Sequence, residues 1–153
     1  MECLEKSDII VSIRAFLPQE LSFVYSYLVD RTVGYIKRDV VTIPDEAGFE
    51  IIFSDESASI KEEQQVKYGG YVYKNTIEFS QPQSFEDDSD VLTQLSNLQR
   101  HAHHILITYF GGQQKLVRVD PLGDGYMFSY KHSGLTTECT ITINNKSGIR
   151  NVI

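Results

Sequence analysis

His101, His103 and His104 stand together in an internal HAHH run, and the chemistry they could do is metal ligation. Zinc needs three or four converging donors, and helical histidine pairs that ligate sit at i and i+4. This spacing fits instead the end of a helix, where an imidazolium stabilises the negative pole of the dipole. Asp87, Asp88 and Asp90 could attract a hard cation, but the spaced loop with a central Gly and a terminal Glu that calcium requires is missing. Gly123-Asp124-Gly125 is followed by neither a lysine nor a helical pattern, so it reads as a turn and not as a phosphate loop. No Gly-x-Ser-x-Gly elbow supports a Ser/His/Asp or Cys/His arrangement. The expectation is a protein without catalysis, metal or cofactor.

The elements that would carry these residues follow from periodicity. Tyr71, Tyr73, Asn75, Ile77 and Phe79 alternate with Lys74, Thr76 and Glu78, as in a strand with one wet face. Ile105, Ile107 and Tyr109 oppose Leu106 and Thr108, a run apolar on both sides and therefore a central strand. Tyr126, Phe128 and Tyr130 oppose Met127, Ser129 and Lys131; Cys139, Ile141 and Ile143 oppose Thr140 and Thr142. β-branched and aromatic residues fill all four runs. Gly111-Gly112 before Lys115 to Val119 predicts a hairpin, and Pro121, Ser133-Gly134 and Asn144-Asn145 punctuate the rest. Between Pro82 and Ile105 the period turns helical, with Val91, Leu92, Leu95, Leu98 and Ala102 on one face and Glu86, Asp87, Asp88 and Asp90 at the start. We expect that helix over about 87–102.

In the N-terminal half IIVSIRAF (9–16) and FEIIFS (49–54) suit strands. Leu21, Val24, Tyr25, Leu28 and Val29 take helical spacing after Pro18, while Phe23, Tyr25 and Tyr27 also alternate; we read a second helix over about 19–29. Ser54 to Gln65 is polar and acidic and reads as an exposed loop or a mobile hairpin tip. The fold class expected is mainly β (α+β): an antiparallel β-sandwich or rolled sheet with a flanking helix, forming one domain over 1–153.

The chain has 153 residues and a formal charge of −7, with a pI near 5.0. No basic stripe is visible, which disfavours sequence-specific nucleic-acid binding. Cys3 and Cys139 are too few for a disulfide scaffold, and Cys139 reads as an inert core thiol on the Ile141 face. MECLEKSDIIVS carries charges and no long apolar run, so no secretory signal is expected, and nothing reaches the length of a membrane span.

The order GGYVYKNTIEFSQP, DVLTQLSNLQRHAHH, ILITYFGGQQKLVRVDPLG, YMFSYKHSG and ECTITINNKS, over residues 69–147, resembles small structural proteins of bacteriophages and prophages, particularly those of gut Bacteroidetes. The resemblance implies a tail, neck or baseplate-hub component, made in the host bacterial cytoplasm and located in the virion. It would close rings with its own copies and meet other virion proteins, with no membrane and no sequence-specific nucleic acid. Strand edges, the 54–65 segment and the segment 147–153 would make the contacts; the residues singled out are Ser54, Glu56, Lys61, Glu63, Ser147, Arg150, Val152 and Ile153. An acidic lumen would repel DNA phosphates. The alternative is a small-ligand or carbohydrate-binding β-domain with an aromatic mouth formed by Tyr71, Tyr73, Tyr126 and Phe128.

Overall fold

Alternation becomes sheet wherever a partner strand covers one face. In the computed structural model the described residues are 9–30, 34–43, 46–67, 70–82, 89–119, 125–145 and 149–151. The strands are β1 (Ile10–Phe16), β2 (Ser22–Asp30), β3 (Gly34–Thr42), β4 (Phe49–Glu50), β5 (Ser59–Lys67), β6 (Gly70–Pro82), β7 (His104–Tyr109), β8 (Gln114–Val117), β9 (Tyr126–Ser133), β10 (Thr136–Asn145) and β11 (Ile149–Asn151); helix α1 is Ser89–Arg100. They form a five-stranded sheet ordered β11-β8-β7-β1-β4, a four-stranded sheet ordered β5-β6-β10-β9, and the two-stranded pair β2-β3. Every pairing is antiparallel. The molecule is thus a mainly β sandwich with a flanking helix, as the periodicity predicts.

The core lies between the two larger sheets. Ile13, Ile105, Ile107 and Val117 of one meet Ile77, Phe79, Cys139, Ile141 and Ile143 of the other, all almost fully buried. Ile77 and Ile141 face each other in register, and Phe128 stands on the far side of Ile141. Each large aliphatic side chain withdrawn in this way contributes about 1.5–3 kcal/mol. β7 is buried on both faces, because Leu106 joins Phe16, Leu21 and Leu116 in a smaller cluster on the opposite side of its sheet. That cluster explains why the 105–109 run is apolar throughout.

Ile10 and Ile13 are three residues apart, yet both face the main core. Simple alternation forbids this. A register shift between Ile10 and Ser12, opposite Tyr109 and Thr108, inserts Val11 as an extra residue and resets the phase. Helix α1 buries Val91 and Leu98 and touches the marginal strand of each sheet: Gln94 Nε2 donates to Glu50 O at 2.8 Å, and Tyr126 Oη donates to Leu98 O at 2.9 Å. The bond from Gln94 occupies a main-chain acceptor on the outer edge of β4, one way of blunting an edge strand.

Three expectations are corrected. Residues 22–30 form β2, paired along its whole length with β3, and only Pro18–Glu20 makes a 3-10 turn, so the helix over 19–29 does not form. Strand–strand pairing overrode a short ambiguous period. Ser54 to Gln65 is not a loop throughout: Ser54 N–H donates to Ser80 O at 2.8 Å, Ser57 Oγ closes a turn on Ser54 O at 2.6 Å, and β5 begins at Ser59. The strand after the 49–54 run is cut to Phe49–Glu50, because the chain leaves β1 at Ile51 and crosses to the other sheet. The helix lies within the expected 87–102 range; Glu86, Asp87 and Asp88 fall outside the described residues, as do Cys3 and Pro121 to Asp124.

Candidate functional site

The histidine run turns inward. His101 N–H still closes the last helical turn on Asn97 O at 3.1 Å. His103 is buried, its Nδ1 lying 2.7 Å from His101 O. Its ring meets Phe49 edge-on at 5.6 Å and lies 6.2 Å from Tyr126. His104 opens β7 opposite Phe16 and is also buried. Val119 N–H donates to its Nδ1 at 2.8 Å, which fixes a neutral ring protonated on Nε2. Burial first, then the charges of Arg118 and His103, push the His104 pKa down from 6.5 to about 4. Burial likewise lowers that of His103. A cationic cap on the helix dipole is therefore not the role of these two rings; they are core histidines that hold the α1–β7 junction. Among the described residues no group of three or more His, Cys, Asp or Glu is placed to hold a metal.

Among the described residues the carboxylates do not converge on a metal site either. Burial raises the Tyr126 pKa, and its hydroxyl is taken by Leu98 O. Phe128 is buried in the core, whereas Tyr71 is well exposed near the start of β6, where it pairs with Val66. Burial also pushes the Cys139 thiol up to about 11, as expected of an inert core cysteine.

A concavity lies elsewhere, at the β1–β4 margin of the five-stranded sheet. It is a groove of about 770 Å³ lined by Ile10, Val11, Ile51, Ile52, Phe53 and Phe110, with Glu50, Asp55, Glu56 and Gln94 around them. The way the chain diverges creates it. β4 pairs with β1 at Arg14 and Ala15, and Ile51 N–H donates to Ile13 O at 2.8 Å. Ser54 then bonds across to Ser80 of the other sheet, and Gln81 Nε2 reaches Ile52 O. Among the described residues, therefore, no strand lies beside Ile10 to Ser12 on that side of β1. Val11, Ile52 and Phe110, at 46%, 38% and 62% exposure, leave apolar surface in the groove. Gln94 Oε1 is shielded from solvent and has no hydrogen-bond partner among the described residues. A smaller hollow of about 460 Å³ between α1 and the β9–β10 hairpin is lined by Leu92, Leu95, Tyr130 and His132.

Of the residues singled out from sequence, Glu56 stands on the lip of the groove with a φ of 60°, and Ser54 anchors the crossing that shapes it. Lys61 and Glu63 lie on β5, paired with each other at 2.7 Å on an exposed face. Arg150 belongs to β11, at the opposite margin of the five-stranded sheet. Ser147, Val152 and Ile153 lie outside the described residues. Sequence reasoning missed Val11, Ile52, Phe53 and Phe110. Val11 and Ile52 sit within apolar runs that look like ordinary strand interior, and only the bulge and the crossing expose them.

The fold defines a β-sandwich with a flanking helix and, among the described residues, a stretch of β1 with no strand on one side. A scan against protein-family models, a search of curated proteins and a search of solved structures found no match. Among the described residues no helix is long and apolar enough to cross a membrane.

Proposed function

We propose that this chain is a non-enzymatic structural protein of a bacteriophage or prophage virion, a ring-forming component of the tail, neck or baseplate hub. The observation that carries this reading is the five-stranded sheet, which ends in short strands, β4 at one margin and β11 at the other. Short strands at both margins, with no further strand beside them among the described residues, support head-to-tail contact between copies, and head-to-tail contacts close into rings when the rotation allows. The β2–β3 pair, nine residues per strand and joined to no other strand among those described, gives each copy a further means of reaching a neighbour. The residue order over 69–147 supplies the phage assignment.

Light scattering over a concentration series, followed by electron microscopy of the largest species, tests the reading. Closed rings of several copies are expected. A strict monomer at every concentration would refute self-assembly and favour the alternative, a small-ligand or carbohydrate-binding β-domain; that reading would have to use the apolar groove, since Phe128 and Tyr126 are committed to the core and to α1.

A further inference from the structure

We propose that the groove beside β1 binds an extended segment of a partner protein in which Lys or Arg alternates with aliphatic residues, added as a strand where β4 leaves the sheet. This goes beyond the virion reading and does not depend on it, because it needs neither a ring nor a second copy of this chain.

The main chain supplies the template. β4 pairs with β1 at Arg14 and Ala15, Ile51 N–H adds a bond to Ile13 O, and the chain then crosses to Ser80 of the other sheet. Past that point Ile10 to Ser12 have no strand beside them on this side among the described residues. The stretch runs about 10 Å, enough for a short added strand to continue the ladder that β4 leaves. The groove of about 770 Å³ lies along it, and Val11, Ile52 and Phe110 keep exposed apolar surface in its wall. Aliphatic side chains on one face of an added strand would cover that surface.

Charge selects the occupant. Glu50, Asp55 and Glu56 are exposed and share the lining, which holds no Lys, Arg or His. None of the three enters an ion pair among the described residues. The ionisable groups at the groove are therefore of one sign, and the net charge of −7 reinforces it. Such a field draws in a basic segment and repels an acidic one. Because side chains along a strand point alternately to two faces, one segment can bring aliphatic groups to the apolar wall and cations to the carboxylates.

The test uses the full chain and a short acetylated and amidated peptide, lysine alternating with valine, with binding read by fluorescence polarisation from a label on the peptide. Binding is expected, weakening as salt is raised. Asp55→Asn/Glu56→Gln and, separately, Phe110→Ser are each expected to weaken it at least about tenfold. Far-UV spectra and melting temperatures are expected to stay at wild-type values, since all three residues are exposed. The same peptide with glutamate in place of lysine is expected not to bind. Of two versions N-methylated along one edge or the other, one is expected to lose at least about tenfold, because a single edge meets β1. Failure of the lysine peptide to bind, or binding indifferent to both groove variants, would overturn the proposal. Equal binding of the parent and both N-methylated peptides would also overturn it, leaving a site for cations and not for a strand. Light scattering on the same samples reads self-association separately; displacement of neighbouring copies by the peptide would put a second copy in the groove and overturn the partner assignment.

Discussion

His104 gives this fold an acid sensitivity whose size follows from its surroundings. The ring is 3% exposed and accepts the Val119 N–H on Nδ1, so protonation would break that bond and bury a charge. Its pKa falls from 6.5 to about 4 in the folded protein. The unfolded chain therefore binds the proton more tightly, and stability declines as pH falls from about 6.5 towards 4. Linkage gives a loss of about 2 kcal/mol by pH 5 and about 3 kcal/mol in total, with no contribution above pH 7.5. Urea unfolding at pH 7.5, 6.5, 5.5 and 5.0 measures this directly. The control is His104→Asn, whose Oδ1 can still accept from Val119 but cannot be protonated. The variant is expected to start lower because of imperfect packing, yet to show a pH slope shallower by about 2 kcal/mol over this range. Parallel wild-type and variant curves between pH 7.5 and 5 would refute the neutral, acceptor role of the ring.

Two further outcomes test the core and its corner. Gly48→Ala is expected to cost about 2 kcal/mol or more in urea unfolding, because Gly48 has a φ of 71° and a Cβ there would run into Ala15 O and the Phe16 ring. Glu20, whose Oε1 and Oε2 accept the N–H groups of Leu17 and Gly48 at 2.8 Å each, makes that corner hard to displace. In a Cys3→Ser background, Cys139 is expected to stay unreactive towards a disulfide reagent at pH 8 until denaturant is added, since it is 1% exposed and its thiol is pushed up to about 11; rapid native labelling would contradict its core position.

The parts of this fold that alternation reveals are those with one wet face and one dry one. β6 and β10 declare themselves because Ile77, Phe79, Cys139 and Ile141 recur at every second position opposite Thr76, Glu78, Thr140 and Thr142. Helix α1 is equally readable, since Val91, Leu95 and Leu98 keep the 3.6 period against the core. β2 was hidden by apolar residues at both odd and even positions, a pattern in which helical spacing also occurs. β5 was hidden by the charges of Lys61, Glu62 and Glu63; an edge strand tolerates them because its outer face stays wet. The histidines misled for a different reason. Nothing local distinguishes a capping imidazolium from a buried neutral acceptor until Val119, fifteen residues further on, supplies the donor. The groove was the least legible element, because it arises where two segments part and not from either segment alone.

The sheet order has a kinetic consequence. β5, β6, β9 and β10 come from two hairpins that meet late, but β1 must find β7, with Phe16 waiting for His104 across most of the chain. Closing so long a span costs chain entropy before any contact compensates it, so the five-stranded sheet forms slowly compared with the local β2–β3 and β9–β10 pairings. Until β7 arrives, the edge of β1 that takes it has no partner strand, and a newly made chain is exposed to misassociation in that interval. Assembly in the wrong order would thus compete with folding for the same strand.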